Sequence, residues 1–402
     1  MRQNILVVGA GIGGLTAAIA LTQRGFDVTV YEQATKLAEV GAGLQLSPNG
    51  VAVLAELGLL EELTAIACEP DAKRIRLWNT GQSWPLFDLG KDCVARYGFP
   101  YLMVHRGDLH ALLLRAMLRL RPGSVITGAK LTDIEAQPNG VSARFEDGRT
   151  ATGDLMIGAD GVHSRVREQI VGPGVATYTG CMAWRGVIPA DSLPDHLRIT
   201  SGVNWVGPGR HVITYPLRAG KLINFVGVVE LPDWEGEESW TLRGTHAECA
   251  AYFEGWHQDV QTLIANIEVP FRWALLSRPP IDVWHRGRVV LLGDACHPML
   301  PFMAQGAVMA IEDGMILARA LEANADDLPR AIALYERLRV PRANRCVSAA
   351  EQNRKLFHSD RLAEPQDAER YAESQWDAQK VEERYDWLFS WDPVVADLTV
   401  VQ

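Results

Sequence analysis

The 402-residue chain carries 39 Lys and Arg against 49 Asp and Glu, for a net charge of −10, and 48% of its residues are hydrophobic. This balance excludes a nucleic-acid-binding role resting on a basic surface, and it supplies enough apolar mass for a large core. The length fits two or three domains, or one large nucleotide-binding fold with an inserted sheet. No apolar run is long enough to span a bilayer, and the first strand begins too early for a signal peptide, so no membrane partner and a cytoplasmic location are expected. Cys68, Cys93, Cys181, Cys249, Cys296 and Cys346 are scattered without a CxxC pair. They read as reduced, mostly packed thiols, and no metal site is expected.

In chain order, Asn4–Val8 is a fully apolar strand running into Gly9-Ala-Gly11-Ile-Gly13-Gly14. An Ala- and Leu-rich helix over Leu15–Arg24 stops at Gly25, and a second strand from Val28 ends at Glu32. Glycines between a strand and a helix let a pyrophosphate approach the helix N-terminus, and an acidic residue closing the next strand takes ribose hydroxyls. The stretch predicts dinucleotide binding by Gly9, Gly11, Gly13, Gly14 and Glu32, for either a nicotinamide or a flavin cofactor. The chain then departs from a dehydrogenase pattern. A second glycine-rich loop over Glu39–Asn49, with Gly41 and Gly43, suits close approach to a bulky planar ligand. A helix over Gly50–Leu57 follows.

Alternation from Lys73 to Phe99 predicts antiparallel strands. A helix to Leu120 is expected with Asp108 as its N-cap and Arg106 just before it, within reach of a phosphate. Further strands run to Phe145. The segment Asp154–Arg167 repeats strand, tight turn and helix start, with Asp160-Gly161 in the turn and Ser164 as the cap. Short strands recur from Gly180 to Glu230. A period of two places His211, Ile213 and Tyr215 on one face. That face either lines a pocket or leaves Tyr215 as a core aromatic and His211 at the surface.

Val289–Leu292 is a buried strand ending at Gly293-Asp294, followed by a Pro-rich apolar loop and a helix opening at Gln305-Gly306. The unpaired N–H groups of such an N-terminus favour an anion. Beyond it the pattern is helical over 314–325 and 328–357, with a break near Pro341. The tail is charged from Asp360 to Arg384. Its aromatic end, Tyr385–Trp391, needs an apolar surface to cover, its own or a second subunit's.

Three stretches, 9–14, 154–167 and 288–301, resemble the dinucleotide fingerprint, the DG motif and the GD motif of the single-component FAD-dependent aromatic hydroxylases, the para-hydroxybenzoate hydroxylase class. The resemblance covers about residues 1–350 in order and spacing. GDACHPMLPFMAQGAVMAIED is similar to the salicylate hydroxylase-like branch. The implied fold is α/β: a Rossmann-type FAD-binding domain built from segments 1–72, 101–178 and 279–350, an inserted mixed β-sheet substrate domain from 73–100 and 179–278, and a helical C-terminal region, 351–402.

The resemblance implies that Gly9, Gly11, Gly13 and Gly14 hold the FAD pyrophosphate, Glu32 and Gln33 the adenosine ribose side, and Arg106 the phosphates or ribityl chain. It places Leu131 near the adenine, Gln45, Gly306 and Ala307 near the flavin, Asp294 on the ribityl hydroxyls, and Asp160 in a motif shared between FAD and NAD(P)H. Tyr215 would hydrogen-bond a phenol oxygen with His211 as proton acceptor. Pro298, Met299, Pro301, Phe302 and Met303 would form the dry wall over the flavin.

The implied reaction uses NAD(P)H and O2 to hydroxylate a small aromatic acid through a flavin hydroperoxide. Family members with 3-hydroxybenzoate 6-hydroxylase activity tend to carry glutamine at the place of Pro301, and 6-hydroxynicotinate 3-monooxygenases histidine at that of Gln45. By elimination the expectation is a salicylate 1-monooxygenase-like decarboxylative hydroxylation to a catechol, with those two activities as alternatives. No arginine stands out as the partner of a substrate carboxylate. Homodimers are common in the family. A flavin-dependent reductase acting on a lipid double bond would share the fold but consume no oxygen, and a non-catalytic nucleotide-binding protein would need no apolar loop at 298–303.

Overall fold

The computed structural model describes residues 3–37, 42–234 and 242–399. Glu39 and Gly41 of the second glycine-rich loop lie outside the described residues. Among the described residues, one six-stranded sheet runs in the order His285–Arg286, Val289–Leu291, Leu155–Gly158, Asn4–Val8, Asp27–Tyr31, Val125–Ile126. Its centre is parallel, with Ile5 opposite Leu155, Val7 opposite Val30, and Ile157 opposite Val290. Parallel strands are covered on both faces, which is why these segments are nearly continuous runs of Val, Ile and Leu. Helix Ile12–Gln23 packs on helix Gly306–Ala323. The approach is so close that a Cβ at Gly314 would stand 2.8 Å from the Ala17 backbone nitrogen.

A second, mixed sheet has seven strands in the order Phe271–Ser277, Thr177–Pro189, Leu222–Glu230, Arg210–Leu217, Gly202–Gly207, Ala72–Leu77, Ser83–Asp88. One face is closed by helices His246–Tyr252 and Gln258–Ala265, which bury Trp184, Trp205, Phe225 and Phe253 in a separate apolar cluster. The other face looks toward the fingerprint loop and the segment around Asp294. No helix among the described residues is long and apolar enough to cross a membrane.

Some local expectations change: within the stretch from Lys73 to Phe99 expected as strands, Lys91–Tyr97 is a helix that opens after Gly90. Helix Arg106–Leu120 begins two residues before Asp108, so Asp108 is not its cap; the carboxylate instead accepts two 2.8 Å hydrogen bonds from Arg218. The helix expected to break near Pro341 runs unbroken over Leu328–Phe357. Arg339 and Arg342, on either side of the proline, are anchored to buried carboxylates and hold the helix through it. The aromatic end of the tail is buried within its own chain: Phe389 packs against Phe87, Tyr97 and Tyr101, and Trp391 lies under the Arg342 guanidinium at 4.2 Å.

Candidate functional site

A cavity of about 340 Å³ opens between the two sheets, within the range of small-molecule and cofactor sites. On one side it is lined by Gly11, Gly13 and Gly14 of the fingerprint, with Gln45, Arg106 and Asp294. Gly306 and Ala307 present the N-terminus of the helix Gly306–Ala323 to it. The opposite wall is the mixed sheet: Arg185, His211, Ile213, Tyr215, Val226 and Trp273. Met299 and Pro301 of the Pro-rich loop complete the lining.

The fingerprint loop owes its shape to glycine. A Cβ at Gly14 would lie 2.1 Å from the Gly9 carbonyl oxygen, so only glycine lets the helix start this close to the strand end. Glu32 sits at the edge of this loop and accepts from the Ala10 and Ala34 N–H groups at 2.8 Å each. Asp294 exposes its side chain to the cavity although protein surrounds it. Burial raises its pKa, while His297 and Arg106 pull it down.

Behind the helix N-terminus lies a charged network that sequence reasoning missed. Asp313 accepts from Arg339 Nε at 2.7 Å, the Gly293 N–H at 2.9 Å and His297 Nε2 at 2.6 Å. Burial pushes its pKa up, but His297 and Arg339 overcome this and hold it at about 2. Glu312 takes Arg339 and Arg342, and also Asn49 Nδ2 at 2.6 Å. From Asn49 the chain of bonds continues through the Ser47 hydroxyl to Gln305 Nε2. Gln305 Oε1 is buried without a hydrogen-bond partner among the described residues. The available signal was the spacing of Arg339 and Arg342 by three residues beside Pro341, opposite two adjacent acids at the second turn of the preceding helix.

Cys296, His297 and Asp313 also lie within 4.8 Å of one another with metal-ligand chemistry. Asp313 is already saturated, and burial keeps the Cys296 thiol protonated, so the trio reads as core.

Several expected residues stand elsewhere. Gly9 shapes the loop without lining the cavity, Gln33 is exposed, and Leu131 is buried at the start of the strand Leu131–Gln137. Asp160 is committed to its own turn: it accepts from the Ser164 hydroxyl and from the Arg165 and Val166 N–H groups, so its neighbour Gly161 reaches the cavity instead. Ser164 caps the helix as expected. In the Pro-rich loop, Pro298 and Met303 are buried away from the cavity, because Met303 turns its sulfur to Asn353. Phe302 packs behind the wall, with its ring 4.9 Å from that of His211.

On the sheet side His211 is buried, its Nδ1 2.7 Å from His358 Nε2. Burial and the second imidazole hold its pKa well below the usual histidine value, so the ring is neutral and offers one acceptor nitrogen. Burial raises the Tyr215 pKa, opposed by the Gln45 side chain, and keeps it a phenol able to donate. Arg185, 4% exposed, stacks on the Trp273 ring at 4.4 Å. It is the arginine the sequence did not single out. Its signal was the strand 182–186, where a period of two puts Trp184 on the covered face and Arg185 on the open one.

A glycine loop too tight for side chains, a helix N-terminus, an acidic residue after the second strand and an orphaned amide oxygen together fit a bulky dinucleotide bearing a planar ring. The class thus defined is a dinucleotide-dependent oxidoreductase with a second, partly apolar chamber beside the cofactor. Residues 2–350 match the FAD binding domain family. The chain is 43% identical over 356 residues to the 6-hydroxynicotinate 3-monooxygenase of Pseudomonas fluorescens, covering 87% of this chain and 91% of that one. It is 40% identical to 3-amino-4-hydroxybenzoate 2-monooxygenase PtmB3 of Streptomyces platensis, with 89% of each covered. Klebsiella pneumoniae HpxO, solved with FAD and uric acid, superposes with a TM-score of 0.83 at 31% identity, covering 96% of this chain and 97% of that one. The chain belongs to the FAD-binding family of flavin-dependent aromatic-ring monooxygenases and is an FAD enzyme with NAD(P)H as co-substrate.

Proposed function

We propose that the protein hydroxylates a small aromatic acid whose ring hydroxyl stands opposite its carboxylate. The observation that carries this reading is the register of the mixed sheet. Arg185 pairs with Val226, and Val226 with Ile213, so the three form one row across adjacent strands. His211 and Tyr215 flank Ile213 on the same face. Arg185 therefore stands two strand spacings, roughly 10 Å, from the Ile213 backbone. The Arg185 guanidinium, held over Trp273 of the next strand outward, stands at the far end of the chamber from His211 and Tyr215, which suits a carboxylate opposite a ring hydroxyl that meets those two residues. Salicylate, with its two groups adjacent, fits this separation less well. Both 6-hydroxynicotinate and 3-amino-4-hydroxybenzoate, named in the relatives, have the opposed arrangement.

FAD, when bound, would supply the two-electron chemistry that couples NAD(P)H to O2 and makes one oxygen atom available to the ring. The residues that would hold it are Gly11, Gly13, Gly14, Gln45, Arg106, Asp294, Gly306 and Ala307, with Glu32 at the edge. In this proposal His211 accepts the phenol proton at Nε2, which makes the ring more electron-rich. Tyr215 donates to the same oxygen, Arg185 fixes the carboxylate, and Met299 and Pro301 keep water away.

The test is NAD(P)H oxidation and oxygen uptake by FAD-loaded protein, with product analysis. The panel is 3-amino-4-hydroxybenzoate, 6-hydroxynicotinate, 4-hydroxybenzoate, 3-hydroxybenzoate and salicylate. The proposal expects hydroxylated product from one or more of the first three, and fails if only the last two are turned over.

A further inference from the structure

A base buried behind aromatic walls must dispose of the proton it takes. The rings of Phe302 and Phe357 lie 4.9 and 5.6 Å from that of His211 and close its flanks to water. His211 Nδ1 meets His358 Nε2 at 2.7 Å, and His358 Nδ1 meets Glu230 Oε1 at 3.0 Å. His358 is buried at the end of the long helix, whereas Glu230 is exposed at the end of its strand. The backbone fixes the arrangement. The Gly209 N–H donates to the His358 carbonyl at 3.0 Å, and the Glu230 N–H donates to the Gly209 carbonyl at 2.9 Å. We infer that His358 and Glu230 form a proton path from the buried chamber to solvent, with His211 at its inner end.

The inference rests on the reading of His211 as the base. The phenol O–H bond breaks and its proton goes to His211 Nε2. The Nδ1 proton of His211 passes to His358 Nε2, and the Nδ1 proton of His358 passes to the Glu230 carboxylate, which releases it to water. Both imidazoles end neutral in the other tautomer, and the net change is phenol to phenolate plus one solvated proton. The other charged or titratable groups facing this path are Arg354 and Glu351 from the long helix, Cys181 from the adjoining strand, and Tyr215 on the strand of His211. Burial keeps both imidazoles neutral, as the path requires. The hydrogen bond from His358 and the nearby Arg354 hold the Glu230 carboxyl below its ordinary range, so it does not retain the proton.

The experiment mixes FAD-loaded enzyme with 6-hydroxynicotinate or 3-amino-4-hydroxybenzoate in weak buffer with a pH indicator and follows proton release and the ring absorbance together. His358→Phe should slow both by about 100-fold, the usual worth of a positioned acid–base group, with the dissociation constant unchanged, and His358→Ala, which leaves room for the ring, should be slowed likewise and restored by free imidazole. Glu230→Gln, at an exposed position, should slow proton release without imidazole rescue. His211→Gln separates the two levels of argument. If His211→Gln blocks proton release while His358→Phe and Glu230→Gln leave it at the native rate, the path is overturned and the base assignment stands. If His211→Gln is also silent, or neither compound binds, the reading of the site fails and the path with it.

Discussion

Replacing Arg185 by methionine tests the polarity of the chamber. The guanidinium is nearly sealed from solvent and stacked on Trp273, so its orientation is set before any ligand enters. Truncating one partner of a buried, hydrogen-bonded charge pair costs about 2–5 kcal/mol, which at 1.4 kcal/mol per decade is a loss of about 30- to 4000-fold in affinity. Methionine keeps much of the apolar stem against Trp273 and limits collapse of the wall. The assay titrates FAD-loaded native and Arg185→Met protein with 6-hydroxynicotinate and with 6-hydroxynicotinamide, following the flavin absorbance. Native protein should prefer the acid. The variant should lose affinity for the acid by the stated factor, change little toward the amide, and keep its flavin. Equal weakening toward both compounds, or an unchanged affinity for the acid, would refute the assignment of Arg185 to the carboxylate.

Gly14→Ala should leave a folded protein that binds FAD about 5- to 140-fold more weakly by flavin fluorescence titration, because the colliding Gly9 carbonyl is backbone and only a loop shift of about 1–3 kcal/mol can admit the methyl. Arg339→Met leaves Asp313 and part of Glu312 buried without their counter-charge, and denaturant unfolding should show a loss of about 3–5 kcal/mol. For pH, His211 stays neutral in the folded state and titrates near 6.5 when unfolded. The unfolded chain therefore binds the extra proton as pH falls below 6.5, and stability drops with it. His211→Gln should flatten that decline by about 1.4 kcal/mol per pH unit between its folded and unfolded pKa, and identical slopes would contradict the burial argument.

How much was legible in the sequence follows from how local each signal is. The fingerprint, the Ser164 cap and the strand leading to Asp294 are consecutive residues whose chemistry is complete within one turn, and they could be read directly. The shared face of His211 and Tyr215 followed from strand period. Arg185 could not be assigned, because its relation to His211 exists only through the pairing of strands far apart in the chain. The same holds for His358, which meets His211 across 147 positions. Pro341 misled for a related reason: its local helix-breaking tendency is overridden by arginines whose carboxylate partners lie about thirty positions earlier. Within the Pro-rich loop, the resemblance marked Pro298, Met299, Pro301, Phe302 and Met303 alike as wall, but a 3-10 turn at Pro301–Met303 leaves Pro301 at the cavity and carries Phe302 and Met303 behind it. Asp160 shows the reverse case, a motif residue whose carboxylate serves the turn that displays its neighbour.

In the proposed function this chamber couples flavin chemistry to a ring with opposed hydroxyl and carboxylate groups. Its most direct test is oxygen uptake by FAD-loaded protein with NAD(P)H, comparing 3-amino-4-hydroxybenzoate and 6-hydroxynicotinate with salicylate, with isotopically labelled O2 and mass analysis of the product. One labelled oxygen atom is expected in the product of an opposed-group acid, at a rate above that with salicylate. Labelled catechol from salicylate alone, or NAD(P)H oxidation with no label in any product, would contradict it.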